Sequence, residues 1–386
     1  MKFAINKRLF GQVVRSAHAF GNSARTRERT DSRYPVDLAA SPLGLEISAF
    51  DGNAVLTQRV PAGVSAPGSV SIDTGELRDA LARANARDVV TFEARSKRGD
   101  AEMAACRLLD SGKATALGRA PTGRSGYCHM ALGEQLEARL EAPAAELAAI
   151  VAETAFAAST DPHRPYFRGL FIESRDGRLR AVATDGSQMA IRDTNIPLAE
   201  DALPDDRFDK RGAILPLKPM RTLERLLKGG GSATVEIWTG GARFRCRAGE
   251  VATKFVNGTF PDYRRVLPAG RMKSAPLDLF ALTEAVKAAT PGARSARRGM
   301  QVTLNGKVTL TACPDSSSDS LDETLLPIRC RIRSDPIGFE ARYLEDAGRA
   351  FGRVPTVMRY TKPGHPAVFV SPDRPELAIV QMPVRV

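Results

Sequence analysis

One order of elements recurs three times along the chain, and a recurrence of that kind limits the fold more than any single motif. Each third holds a short hairpin pattern centred on a turn dipeptide. The first runs Leu45-Glu46-Ile47, Asp51-Gly52, Val55-Leu56. The second runs Leu170-Phe171-Ile172, Asp176-Gly177, then Leu179 and Val182. The third runs Val302-Thr303-Leu304, Asn305-Gly306, Val308-Thr309-Leu310. Asp-Gly and Asn-Gly supply the positive φ that tight hairpin turns need. A helical pattern precedes each hairpin, at 8–19, 143–159 and 279–289, and another follows, at 75–87, 219–228 and 341–353. Strand patterns come next, at 89–92, at 235–238 with 243–246, and at 357–360 with 367–370. Each third therefore reads as an α+β unit that buries a helix face on a sheet face. With 386 residues there is chain enough for two or three cores. The breaks fall at 133–135 and 268–270, giving expected domains 1–134, 135–269 and 270–386.

The second break is introduced by Lys254-Phe255-Val256-Asn257-Gly258-Thr259-Phe260-Pro261-Asp262-Tyr263-Arg264-Arg265-Val266-Leu267-Pro268. This stretch starts as a strand and breaks at Asn257-Gly258. Pro261 and Pro268 allow neither a helix nor a central strand to continue. Phe260, Tyr263, Val266 and Leu267 make it too apolar for a linker, which is normally rich in Gly, Ser, Pro or charge. It reads as a rigid elbow packed against something, or as an ordinary ordered loop.

No apolar run reaches membrane-spanning length; the most apolar segment, 142–158, is interrupted by Glu146 and Glu153. The N-terminal eight residues carry Lys2, Lys7 and Arg8 where a signal peptide needs its apolar region, which points to a cytosolic protein. Cys106, Cys128, Cys246, Cys313 and Cys330 are scattered, odd in number and without a Cys-x-x-Cys pair. Neither a disulfide framework nor a zinc site is indicated. The four histidines are isolated, so no metal cluster is expected. Lys+Arg 56 against Asp+Glu 44 leaves +12. That balance favours a polyanionic partner, through counterion release and long-range steering, without saying which.

Three stretches carry a family resemblance. Phe260-Pro261-Asp262-Tyr263-Arg264-Arg265-Val266-Leu267-Pro268 resembles the segment joining the second and third domains of bacterial DNA sliding clamps, the β subunit of DNA polymerase III. Ser159-Thr160-Asp161-Pro162-His163-Arg164-Pro165-Tyr166-Phe167-Arg168-Gly169, followed by Leu179 to Gly186, resembles the middle domain. Gln381-Met382-Pro383-Val384-Arg385-Val386 resembles the C-terminal tail. The matches run in order over the middle and last thirds; the first third agrees chiefly through Met1-Lys2-Phe3 and the order of elements. The resemblance implies a DNA clamp fold of class α+β: three similar clamp domains, each of two helices packed on antiparallel β-sheet. Two subunits would close head to tail into a ring around duplex DNA. It implies a non-catalytic processivity factor without metal or cofactor. The implied partners are double-stranded DNA, a polymerase catalytic subunit, a clamp loader, other proteins with a short clamp-binding peptide, and a second copy of the chain. The implied location is the cytoplasm, in association with the nucleoid. The basic balance departs from the pattern, because such clamps are commonly acidic overall.

Charge on the helical patterns fits that expectation. At 100° per residue, Met220, Leu223, Leu226 and Leu227 fall opposite Lys218, Arg221, Arg225 and Lys228. Leu344 and Phe351 fall opposite Arg342, Arg349 and Arg353. A single basic face is usually a solvated one. Equivalent faces around a hole would instead meet phosphate without reading bases, with salt-dependent affinity. Arg25, with Arg27, Arg29 and Arg33, adds phosphate contacts or forms a charged disordered loop. In the family the corresponding loop lies at the ring face and touches DNA, and the resemblance implies that Arg164 and Tyr166 would do so here.

The resemblance also places a peptide groove. Its wall would be Phe167, Thr184, Gly186, Met189, Pro261, Val266, Val380, Met382, Pro383 and Val384. Polar contacts would come from Ser187, Gln188, Arg265 and Arg385. Methionine suits a groove that serves several partners. The sequence departs from the family at Ser187 and Gln188, where a His or similar residue and an Arg are often seen, and at Val384, often Met. For ring closure Tyr127 matches an apolar interface position, and Arg119 and Arg124 would face an acidic run with Asp319, Asp322 and Glu323. Pro291-Gly292 stands where some clamps carry a bulky aliphatic pair. Two rivals remain open: a nucleic-acid-processing enzyme on a β-rich repeat scaffold, and a clamp-like monomer that only binds partners. The first finds no paired-carboxylate motif, zinc spacing or Walker loop.

Overall fold

The computed structural model describes residues 1–21, 35–85, 88–96, 101–126, 130–204, 212–289, 299–313, 323–333 and 337–384. The helices are α1 (Lys7–Gly21), α2 (Thr74–Arg83), α3 (Ala144–Thr154), α4 (Leu217–Leu227), α5 (Leu279–Ala289) and α6 (Ala341–Phe351). Each lies where the apolar period places one. The chain divides into two compact units, one of residues 1–148, 202–204 and 218–255, the other of residues 149–201, 205–217 and 256–386.

The first unit holds an eight-stranded antiparallel sheet in the order Leu136–Pro143, Ser232–Trp238, Gly241–Cys246, Gly249–Lys254, Ala54–Val60, Gly44–Phe50, Val36–Ser41, Gly68–Ile72. A five-stranded sheet runs Gly63–Ala66, Lys2–Asn6, Val89–Ser96, Met103–Asp110, Lys113–Pro121. Its apolar face meets α1: the Phe3 ring is edge-on to Phe10 at 5.7 Å and stacked on Phe92 at 5.2 Å. Asp73 caps α2 by accepting from the Gly75 amide.

The second unit holds an eight-stranded sheet in the order Ala213–Pro216, Gly169–Arg175, Arg178–Thr184, Gln188–Pro197, Arg374–Gln381, Ala367–Ser371, Thr356–Tyr360, Lys273–Leu277. A smaller sheet runs Glu323–Arg333, Gly299–Cys313, Ile337–Glu340. α5 packs on α6 so closely that a Cβ at Gly348 would fall 1.8 Å from Thr283 Oγ1, so only glycine fits there.

Both eight-stranded sheets join strands far apart in sequence. Val251 pairs with Leu56, and Met189 with Val380. Each such pairing gives what would be an exposed edge a partner. The hairpins on Asp51-Gly52 and Asp176-Gly177 form as the dipeptides predict; the second turn has φ of 52° and 73° at its two central residues. The third does not. Asn305-Gly306 lies inside the single strand Gly299–Cys313, where register shifts mark an irregularity between Asn305 and Val308. A glycine in a strand interior marks a bulge as readily as a turn.

Candidate partner groove and nucleic-acid interface

The elbow closes over one face of the second unit's large sheet. Side chains alternate along a strand, so Phe171, Val182 and Ile191, opposite one another in register, share that face. The Phe260 ring lies flat on Phe171, 4.7 Å away and 6° from parallel, and Phe167 meets it edge-on at 6.2 Å. These residues join Met189, Ile214, Tyr263, Val368 and Val380 in one apolar cluster.

The neighbouring row on the same face is charged: Glu173, Arg180 and Asp193 stand opposite one another. Tyr263 donates its hydroxyl to Glu173 Oε1 at 2.5 Å, and Arg264 donates to Oε2 at 2.6 Å. Arg180 forks onto Asp193 at 2.5 and 2.9 Å and reaches the Tyr263 oxygen at 3.4 Å. Burial, reinforced by Glu173, pushes the Tyr263 phenol up to about 12, so it stays a donor at neutral pH. Glu173 is 4 % exposed, so the elbow is tied down by a buried carboxylate. Sequence reasoning missed Glu173 and Arg180. The available signal was a charged residue two places from Phe171, on the inward face of its strand.

The expected groove residues gather around this cluster. Met189 and Val380 are buried register partners and form its floor. Thr184 is buried, and its hydroxyl donates to the Gln188 carbonyl at 2.7 Å. Phe167, Pro383 and Val384 are half-buried; Pro261, Gly186, Ser187 and Arg265 are exposed. Five large apolar side chains stand exposed among the described residues, and two are Val266 and Met382. Each is close in sequence to a residue of the apolar cluster or packed on it, Val266 to Leu267 and Met382 to Val380, and exposed apolar atoms of this kind suit a ligand. The Met382 amide donates to the Ser187 carbonyl at 2.8 Å and the Val384 amide to Gly338 at 3.0 Å, which fixes the tail along the rim. Asp185 Oδ1 accepts from the Ser187 and Gln188 amides, both at 2.9 Å, and Oδ2 from the Tyr343 hydroxyl at 3.1 Å. Tyr343, which nothing in the sequence singled out, thus ties α6 to the groove turn. Arg385 lies outside the described residues.

Gln188 differs from expectation. Its side chain alternates away from Met189 and is 3 % exposed, with Nε2 donating to the Phe156 carbonyl at 3.5 Å. Opposite it, Gln381 donates to the Tyr343 carbonyl at 2.6 Å. The period of two turns both amides toward α6 and away from the groove floor.

On α4, Met220, Leu223, Leu226 and Leu227 are buried while Arg221, Arg225 and, one residue past its end, Lys228 are exposed. Lys218 is half-buried, with its ammonium 2.9 Å from Asp51 and 5.1 Å above the Phe20 ring. α1 and α2 add further cations. Lys7, Arg8, Arg15 and Arg78 line a cleft of about 490 Å³ with one carboxylate, Asp79, among its lining residues. Arg78 donates to His18 Nε2 at 2.9 Å, so His18 presents Nδ1–H to Thr74, also at 2.9 Å. On α6, Arg342 and Arg349 are exposed, 3.8 Å from Asp185 and 3.1 Å from Asp346 respectively. Burial raises the Asp346 carboxyl above its ordinary range, against the pull of Arg349. Arg164 is exposed, 3.7 Å from Asp161, and Tyr166 is half-buried with its ring edge-on to Phe167. Arg25 lies outside the described residues.

Of the expected closure residues, Arg119 lies on Lys113–Pro121, at the edge of the five-stranded sheet, and Arg124 pairs with Glu46 at 2.8 Å. Glu323 opens the strand Glu323–Arg333; Tyr127, Asp319 and Asp322 lie outside the described residues. Among the described residues no cluster of His, Cys, Asp and Glu is placed to hold a metal ion, and no helix is long and apolar enough to cross a membrane.

The fold is that of the DNA clamps. It superposes on the Caulobacter crescentus beta sliding clamp with a TM-score of 0.83 at 24% identity, covering 100% of this chain and 99% of that one. The DNA polymerase III β subunit of Borrelia burgdorferi gives 0.84 at 16% identity, with 100% of both chains covered. The Bartonella birtlesii clamp, solved bound to griselimycin, gives 0.83 at 23%. The family profile for the central domain of the DNA polymerase III beta subunit matches residues 141–262. The beta sliding clamp of Caulobacter vibrioides is 30% identical over 259 residues, 65% of this chain and 67% of that protein. The chain belongs to the bacterial beta sliding clamp family. It is a sliding clamp, a non-catalytic processivity factor of DNA polymerase III with DNA and polymerase as partners.

Proposed function

We propose that two copies of the chain close head to tail into a ring around duplex DNA. Each copy would hold three clamp domains, 1–134, 135–269 and 270–386. The ring would tether the polymerase catalytic subunit and other factors through the groove. The observation that carries this reading is the apolar cluster under the elbow, with Val266 and Met382 exposed, on the same chain as exposed cations on helices α4 and α6. The helical cations Arg221, Arg225, Lys228, Arg342 and Arg349 meet phosphate, joined by Lys218, Arg25, Arg164 and Tyr166. They make no base contacts, so affinity is independent of sequence. Arg119, Arg124 and Tyr127 of one copy meet Asp319, Asp322 and Glu323 of the other, and a clamp loader opens that joint. The protein works in the cytoplasm at the nucleoid.

Mass in solution tests closure: a ring weighs twice the chain's 41.6 kDa, whereas a particle of one chain at micromolar concentration contradicts it. Incubation with labelled DNA and divalent metal leaves the DNA intact; turnover would favour a nucleic-acid enzyme. The groove is tested with griselimycin. Met382→Ala weakens its binding about tenfold or more, since truncating an apolar anchor costs on the order of 1–3 kcal/mol. Unchanged affinity removes Met382 from the groove.

A further inference from the structure

The first unit's five-stranded sheet has a second face, turned away from α1. Lys2, Glu93 and Arg107 stand opposite one another in a cross-strand row on it, and Arg95 follows Glu93 two residues along. Lys2 and Arg95 each reach Glu93 Oε1 at 3.0 Å, and Arg107 Nε reaches Oε2 at 2.6 Å. Three cations therefore share one carboxylate, itself 2 % exposed, and two positive charges are left over. Hydrogen bonds from Lys2, Arg107 and Arg95 outweigh burial and hold the Glu93 carboxyl at about 2, so this excess persists across physiological pH.

The cations are reachable. Lys2 is 45 % exposed, Arg95 69 % and Arg107 40 %. Their ladder neighbours are small: Ala105 stands opposite Arg95 and Ala116 opposite Arg107, so the charged tips rise above a flat surface. The large sheet of the same unit differs. There Arg139, Arg243 and Arg245 share Glu236 and Glu250, three cations to two carboxylates, so one positive charge is left over and not two. An excess of fixed charge with guanidinium donors to spare matches a chain of phosphates. The chain's +12 strengthens the attraction for a polyanion of high charge density.

We propose that Lys2, Arg95 and Arg107 form a second nucleic-acid contact, which holds the phosphate backbone of a DNA segment that the ring does not enclose. The probe that separates this contact from enclosure is a labelled duplex with both ends closed by hairpins, which a shut ring does not thread without a loader. Binding is followed by anisotropy against salt concentration. The intact protein binds this DNA. Lys2→Ala/Arg95→Ala weakens binding at low salt at least fivefold and lowers the slope of log affinity on log salt by about two, close to 0.9 per phosphate contact. Arg107 still pairs Glu93 in that variant, and a thermal melt confirms its fold. Arg95→Lys on the Lys2→Ala background restores part of the slope. Arg175→Ala/Lys287→Ala, which removes the same charge elsewhere, changes neither quantity.

The proposal is overturned if the closed duplex does not bind, or binds equally well without Lys2 and Arg95. Binding of poly-glutamate with none of closed duplex would assign the face to an acidic polypeptide and overturn it too. Failure of the ring reading has its own signature. If Arg221→Ala/Arg225→Ala also weakens the closed duplex, DNA reaches α4 without threading. Enclosure then falls, while the outer contact stands or falls on Lys2 and Arg95 alone.

Discussion

Tyr263 and Glu173 show how single residues fix the groove. Glu173 is buried and is satisfied by one phenol and one guanidinium. Tyr263→Phe removes the phenol, and a buried carboxylate left short of a donor costs on the order of 1–3 kcal/mol. Urea unfolding should show that loss with an unchanged slope, and a change below about 0.5 kcal/mol would mean that the elbow is held otherwise. Glu93 gives a second residue-scale expectation. Its carboxyl lies near 2 in the fold against 4.5 when free of partners, so its contribution is complete above about 4.5 and is lost as pH falls toward 2. Glu93→Gln therefore flattens the acid limb of the stability curve in that window; an unchanged limb contradicts the cluster. Most of these partners were not legible in the sequence, because Glu173 meets Tyr263 and Arg264, and Glu93 meets Lys2 and Arg107, only after distant segments come together. What was legible was the elbow's own character, in Phe260, Tyr263 and the bracketing prolines.

At the scale of elements, α4 was the most readable part of the chain. Its apolar and basic residues separate by period alone, and burial follows the same division. Leu223→Ala opens a cavity and should cost about 2–5 kcal/mol in thermal or urea unfolding. Arg221→Ala/Arg225→Ala should leave stability within about 0.5 kcal/mol. The same pair of changes lowers the salt slope for linear duplex by about two; an unchanged slope takes α4 out of the DNA interface. The third hairpin was misread because a dipeptide reports the φ it tolerates, and Asn305-Gly306 tolerates a bulge inside a long strand as well as a turn. Gln188 was assigned to the groove by its position in a motif. Strand parity, which decides where a side chain points, turns it the other way. The α1 cations had no address in the sequence, because Lys7, Arg8 and Arg15 gather in one cleft only beside Arg78 of α2.

For the whole molecule, the recurrence of helix, strands, helix and strands was enough to give the α+β class and the helix positions. It did not give the joining of distant strands into two eight-stranded sheets, since edge pairing depends on which surfaces meet after each part has folded. Net charge was visible as a number without an address. Some of it sits on helical faces and some on the sheet face around Glu93. The central claim remains that the protein stays on DNA by surrounding it. Affinity for phosphate is weakened by salt, whereas enclosure is undone only by an open ring or a free DNA end. The direct measurement loads the protein with a clamp loader onto linear duplex, then follows retention at raised salt with the ends free or capped by bulky protein blocks. The account predicts rapid loss from free ends and lasting retention on capped DNA. Equal loss from both would contradict it.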